Sequence, residues 1–124
     1  MRLLLDTNVF VRWLLDAPLP GSISRLISKP GNEKLVSIVS AWEIAIKPKL
    51  NLSAADIEAG IEAMGAVLLP VKLSHIDALY SIQAYDHRDP FDRMLIAQAL
   101  AEDVAIVSSD QRFAEYKRLK LIWD

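Results

Sequence analysis

The sequence predicts an α/β fold of three layers, a short and mainly parallel central sheet with helices on both faces. Three observations predict it. Short apolar stretches recur along the chain, "RLLL" at 2–5, "LVSIV" at 35–39, "VLL" at 67–69, "AIV" at 105–107 and "LKLI" at 119–122. Most lack the polar alternation of a sheet with one wet face, so both faces are expected to be covered. Between them lie segments with helical spacing or helix start signals, and strands alternating with helices build parallel sheets.

The elements follow in order. Arg2 to Leu5 reads as a short buried strand. Val9 to Leu15 reads as a helix, closed by Pro18, Pro20 and Gly21. Ser22 to Ser28 makes a second short helix, ended by Pro30, Gly31 and Asn32. Leu35 to Val39, apolar and β-branched, is a strand. "SAWEIAIKPKLNL", residues 40–52, follows as a helix strained or kinked near Pro48, which lacks an amide donor. Ser53 caps the next helix, whose apolar residues Ile57, Ile61 and Met64 fall at helical spacing. Val67 to Leu69 is a brief strand ended by Pro70. Ser74 to Tyr85 is helical, and "DPFDRMLIAQALAED", residues 89–103, is the clearest helix in the chain. Ala105 to Val107 is a strand, Asp110 to Lys117 a helix, and Leu119 to Ile122 a last short strand.

Composition narrows the function classes. A chain of 124 residues suggests one domain spanning 1–124, and 52% hydrophobic residues suffice for a core. The sequence holds no cysteine, which excludes disulfides and thiolate zinc sites and suits a reducing, cytoplasmic setting. No apolar run reaches the length of a membrane span, and the N-terminus lacks a signal-peptide layout. A formal net charge of −2 gives no global basic field, so nucleic-acid binding would need a local patch. Leu50 to Val71 holds no Lys or Arg but carries Asp56, Glu58 and Glu62, either a solvated helix or a partner surface.

Acids recur at one kind of place. Asp6 follows the first strand, Glu43 comes just after "LVSIV", Asp92 sits in the first turn of the best helix, and Asp110 follows "AIV". In a parallel sheet the strand-to-helix turns share one edge, where ligands bind. Each acid also has a plainer reading. "SAWE" fits a capping box, with Ser40 as N-cap and Glu43 three residues on. Asp89 and Pro90 read as a helix start. Asp6 and Asp110 can cap the helices that follow them. Capping alone leaves unexplained why carboxylates gather at one edge, because Ser40, Ser108 and Ser109 are available as caps. Asp92 also shares a helical stripe with Leu95, Ile96 and Ala99, so it should point inward. Like charges in a partly dry cleft repel unless a cation intervenes. Mg²⁺ or Mn²⁺ suits carboxylate oxygens, and such an ion can activate water and clamp a phosphodiester. No phosphate loop, dinucleotide fingerprint or nucleophile elbow is present, so no nucleotide cofactor is expected. His75 and His87 are not spaced as a metal pair.

"LLLDTNVF", "SAWEIAIK", "HRDPFDRMLIAQA" and "VSSDQRF", in this order, resemble PIN-domain proteins, and more narrowly VapC-type toxins of toxin–antitoxin pairs. The likeness covers nearly the whole chain, with "DPFDRMLIAQA" and "WEIAIK" its specific parts. It implies a PIN-like fold and a metal-dependent endoribonuclease. The family's acids map onto Asp6, Glu43, Asp92 and Asp110. Of these, Asp6, Glu43 and Asp92 are implied to hold the metal, directly or through water. Asp110 lies in a Thr-x-Asp-type segment that reads "SSD", with Ser108 in place of Thr, and Arg112 stands where some relatives carry the fourth acid. Asn8 matches a polar residue that steadies the first acid, and Asp89 a structural position. "KPKLNL" departs from the Gly-Lys or Gly-Arg common in similar sequences, which bears on the lip of the site. The resemblance further implies a homodimer and a cognate VapB-type antitoxin.

An acidic cleft that takes RNA needs cations at its rim, for which Arg12, Lys47, Lys49, Arg88, Arg93 and Arg112 are candidates; each could equally be a solvated charge. Two other readings remain. A phosphoacceptor receiver domain would need an Asp ending a middle strand and a Lys ending a later one. A non-catalytic PIN-like RNA-binding module should have lost an acid.

Overall fold

A computed structural model of the chain describes residues 1–82 and 89–124. Five strands form one sheet: β1 (Arg2–Leu5), β2 (Glu33–Ser37), β3 (Val67–Leu69), β4 (Ala105–Val107) and β5 (Leu121–Ile122). Their spatial order is β3-β2-β1-β4-β5 and every pairing is parallel, with Leu4 opposite both Leu35 and Ile106. The helices are α1 (Thr7–Leu14), α2 (Gly21–Ser28), α3 (Ile38–Ala45), α4 (Ala54–Ala63), α5 (Leu73–Leu79) and α6 (Pro90–Glu102). None of the described helices is long and apolar enough to cross a membrane.

Side chains alternate across a strand, and here both faces are buried. Leu3, Leu5, Val36 and Val107 pack with Val9 and Phe10 of α1, Ile23 and Ile27 of α2 and Ile57 of α4. On the opposite face, Leu4, Leu35, Leu69 and Ile106 pack with Leu95, Ile96 and Ala99 of α6 and with Phe113. That accounts for the near-continuous apolar strands. The approach of α4 to α1 is close enough that a Cβ added at Gly60 would lie 2.0 Å from Leu14 Cδ2.

Several boundaries differ from those the sequence predicts, each for a local reason. β2 ends at Ser37 rather than Val39, because the Ser37 hydroxyl accepts from the Val39 amide at 3.0 Å and starts α3 there. Ser40 therefore lies inside α3 and is not its cap. The helix expected through residue 52 stops at Ala45. Pro48 opens a separate 3-10 turn, Pro48–Leu50, and Asn51 behind it takes the left-handed conformation at φ 52°. The predicted helix at 110–117 is a 3-10 segment, Gln111–Glu115, and the last strand shrinks to Leu121–Ile122. α5 ends at Leu79; the rest of the helix expected to Tyr85 passes into 83–88, outside the described residues. Ser53 does cap α4, in a reciprocal box with Asp56.

Candidate active site

Asp6 leaves the end of β1, where its amide donates to the Val107 carbonyl at 3.0 Å and fixes it beside the end of β4. It stands at the N-cap position of α1, yet its carboxylate makes no capping bond. Instead the buried Ser108 hydroxyl donates to Asp6 Oδ2 at 2.6 Å. Burial pushes the Asp6 carboxyl up to about 6. The Ser108 bond and the Thr7 amide oppose that rise, and the charges of Asp92 and Glu43 add to it. A capping carboxylate would be held in the opposite direction.

Because α3 begins at Ile38, Glu43 falls in its second turn, not at the third position of a capping box. It is 6% exposed. Oε2 is 2.8 Å from Lys47 Nζ, one turn further along, while Oε1 is buried with no hydrogen-bond partner. Such an oxygen costs free energy unless a cation or water supplies the partner. Ser40, assigned a cap by the sequence, instead bonds Thr7 Oγ1 at 2.7 Å in a buried contact that ties α3 to α1. No sequence signal separates that role from a cap, since a serine before a glutamate reads the same either way.

Asp89 caps α6, accepting from the amides of Phe91 at 2.8 Å and Asp92 at 3.2 Å, with Pro90 behind it. That frees Asp92 from capping and leaves it half-buried in the first turn. Asp110 is at once a cap and an ion-pair partner: it accepts from the Arg112 amide and lies 2.7 Å from the Arg112 guanidinium. One hydroxyl links the first acid to the loop of the fourth, because the Asp110 amide donates to Ser108 Oγ at 3.0 Å.

The structure brings Asp6, Glu43, Asp92 and Asp110 to one cavity of about 280 Å³, with Asn8 and Lys47 on its wall. Asn8 is exposed and makes no described hydrogen bond to Asp6; the side chain that bonds the Asp6 carboxylate is Ser108.

The basic candidates divide. Lys47 lines the cavity, and Arg112 stands beside it on Asp110. Lys49 is exposed on the neighbouring 3-10 turn. Arg12 is not at the rim: its guanidinium donates to the Pro18 carbonyl and lies 5.8 Å from the Trp123 ring centroid. Arg93 is half-buried, with a terminal nitrogen 3.5 Å from the Ile82 carbonyl and its Nε buried without a partner. Arg88 and His87 lie outside the described residues.

Among the described residues no three His, Asp or Glu side chains are grouped so as to hold one ion by themselves. The donor set fits an ion that keeps most of its water. Mg²⁺ typically takes one or two carboxylates and retains several waters. The orphaned Glu43 Oε1 and the Asp6 carboxylate, costly to ionise without a cation, are what such an ion would satisfy. The receiver reading fails on topology. The third strand along the chain, β3, which would have to carry the phosphoacceptor at the middle of the sheet, lies at the sheet edge and ends at Leu69 before Pro70.

Comparison with known proteins follows the same lines. The sequence model of the PIN domain matches residues 3–119. No curated relative matches the sequence. Among solved structures, the fold is similar to VapBC2 from Rickettsia felis bound to a DNA fragment from their promoter, at 14% identity, a TM-score of 0.73 and full coverage of both chains. It is similar to DNA-bound VapBC from Salmonella typhimurium at 15% identity and a TM-score of 0.69, covering 98% of this chain and 97% of the other. FitAcB from Neisseria gonorrhoeae gives 17% and 0.63, covering 97% and 96%. At such identities the likeness is one of fold.

Proposed function

The chain belongs to the PIN domain family, and on that premise we propose that it is the toxin of a type II toxin–antitoxin pair, a Mg²⁺- or Mn²⁺-dependent endoribonuclease that cleaves cellular RNA and inhibits growth. One observation carries the reading: four carboxylates, brought by turns and helices that follow the strands, meet at one cavity, where Glu43 Oε1 is buried without a hydrogen-bond partner and burial pushes the Asp6 carboxyl up to about 6.

Asp6, Glu43 and Asp92 would hold the ion, which when bound supplies an activated water and neutralises charge building on the phosphodiester. The protein groups do the rest. Ser108 fixes the Asp6 carboxylate through Oδ2. Asp89 takes over the capping of α6, so Asp92 can serve the cavity. Asp110, at the mouth, orients the attacking water or takes its proton, with Glu43 the other candidate for that step. Lys47, Lys49 and Arg112 draw the RNA backbone, which makes binding salt-dependent.

The same reading takes the chain as a single-domain, cytoplasmic protein with a cognate VapB-type antitoxin and a second copy of itself as partners. Exposed Ile38, Trp42 and Ile46 along α3, beside an apolar groove of about 440 Å³ between α3 and α4, support a protein partner on that side. That the similar folds were solved as VapBC assemblies supports the antitoxin. Incubation of total cellular RNA with parent and Asp6→Asn protein, with Mg²⁺ or with chelator, followed by mapping of the new ends, tests the activity. Discrete cleavage by the parent with Mg²⁺ alone is expected. Equal cleavage by Asp6→Asn would overturn the mechanism. Metal binding without any turnover would favour the non-catalytic RNA-binding module.

A further inference from the structure

We propose that Lys47 is a built-in counter-cation of the acid cavity, competing with the divalent ion for Glu43. The inference rests on the metal reading above. It stands on where the chain puts this ammonium. α3 ends at Ala45, and the turn that follows, with the Lys47 amide on the Ile44 carbonyl at 3.0 Å, brings the side chain back over the last helical turn. Nζ reaches Glu43 Oε2 at 2.8 Å. The other oxygen of the same carboxylate stays buried and unpartnered. Lys47 also lines the cavity.

The consequence follows from linkage. An ammonium is attracted more strongly to the empty acidic cluster than to the same cluster holding a divalent cation. Two cations bound to one set of acids therefore oppose each other, and by reciprocity the resident one weakens the incoming one. The Lys47 side chain is 54% exposed, so it can leave Glu43 without disturbing the core. In the ion-free protein it keeps a buried carboxylate paired; when the ion arrives, that task is taken over. A purely positioning role would have the opposite sign, because a lysine that only aims Glu43 at the ion would strengthen binding.

The test is Mn²⁺ titration of the full chain at pH 8, without RNA, by calorimetry or by the EPR signal of free Mn²⁺, for the parent, Lys47→Met and Lys47→Gln. Gln retains a donor for Oε2 but carries no charge. Competition by charge predicts tighter Mn²⁺ binding in both variants, by about two- to fivefold for one partly exposed ion pair. It also predicts that Lys47→Met melts below the parent in chelator and that the gap narrows in saturating Mn²⁺. Equal affinities, or weaker binding by Met with parent-like binding by Gln, would overturn the proposal while leaving the metal reading intact. If none of the three proteins bound Mn²⁺, the metal reading itself would fall.

Discussion

Replacing Asp6 by Asn should stabilise the ion-free protein while abolishing its activity. The Asp6 carboxyl is held at about 6 against an ordinary value of 3.8. Each pK unit is about 1.4 kcal/mol, so ionised Asp6 costs the folded state on the order of 3 kcal/mol once the pH exceeds both values. The sign follows from proton counts. Between 3.8 and about 6 the folded protein binds more protons at this site than the unfolded chain, so stability is present at low pH and is lost as the pH rises through that window. Asn offers Oδ1 to the Ser108 hydroxyl and carries no charge, so it removes the cost and keeps the bond. In chelator at pH 7.5, Asp6→Asn should melt higher than the parent, by up to roughly 5–10 °C for a domain of this size. At pH 4 the two should converge. Added Mg²⁺ should narrow the gap at pH 7.5, because it binds only the folded parent. Melting curves at the two pH values, with chelator and with Mg²⁺, decide it. A variant no more stable than the parent at pH 7.5, or a gap independent of pH, would refute the account of Asp6 as a carboxylate strained by burial.

Further outcomes follow from single contacts. Ser108→Ala removes the donor to Asp6 and the acceptor of the Asp110 amide; it should cost about 1–3 kcal/mol in denaturant unfolding and lower cleavage, whereas Ser108→Thr should retain both. Asp89→Ala should cost about 1 kcal/mol through the lost α6 cap, and Asp89→Asn, which still accepts from the amides, should restore it. Arg12→Ala should lower stability through its Pro18 and Trp123 contacts while leaving the salt dependence of RNA binding unchanged, whereas Lys47→Ala should reduce that dependence; filter binding to the Asp6→Asn background across salt concentrations separates them. Gly60→Ala should destabilise by up to about 2 kcal/mol, overpacking outweighing the gain in helix propensity, and a paired Leu14→Ala should relieve the clash read by thermal melting.

What the sequence made legible, and what it hid, divides along the reach of the forces involved. The layered parallel fold was readable because burial on both sheet faces imposes apolar runs such as Leu3–Leu5, and no tertiary detail can conceal them. Element ends were less so. Whether Ser37 or Ser40 caps α3 is decided by which hydroxyl finds a better use elsewhere, and Ser40 finds Thr7, a residue 33 positions away. The same competition set the fate of the acids. Asp89 and Asp110 cap as their local sequence says, while Asp6 and Glu43, equally well placed as caps on paper, do not. The difference lies in long-range pairing: Ser108 comes from 102 residues away to claim Asp6, and burial leaves Glu43 Oε1 with nothing. Local propensity therefore identifies a carboxylate that has a job; only the fold identifies one that has been denied it. Denial is the more informative state, because Glu43 Oε1, kept dry and without a partner by the rest of the chain at a cavity shared with three other acids, carries a cost that a bound cation would repay. Arg12 and Arg93 obey the same logic in reverse. Both looked like rim cations by charge alone; Arg12 is engaged by Pro18 and Trp123, and Arg93 is half-buried with one terminal nitrogen on the Ile82 carbonyl and its Nε without a partner.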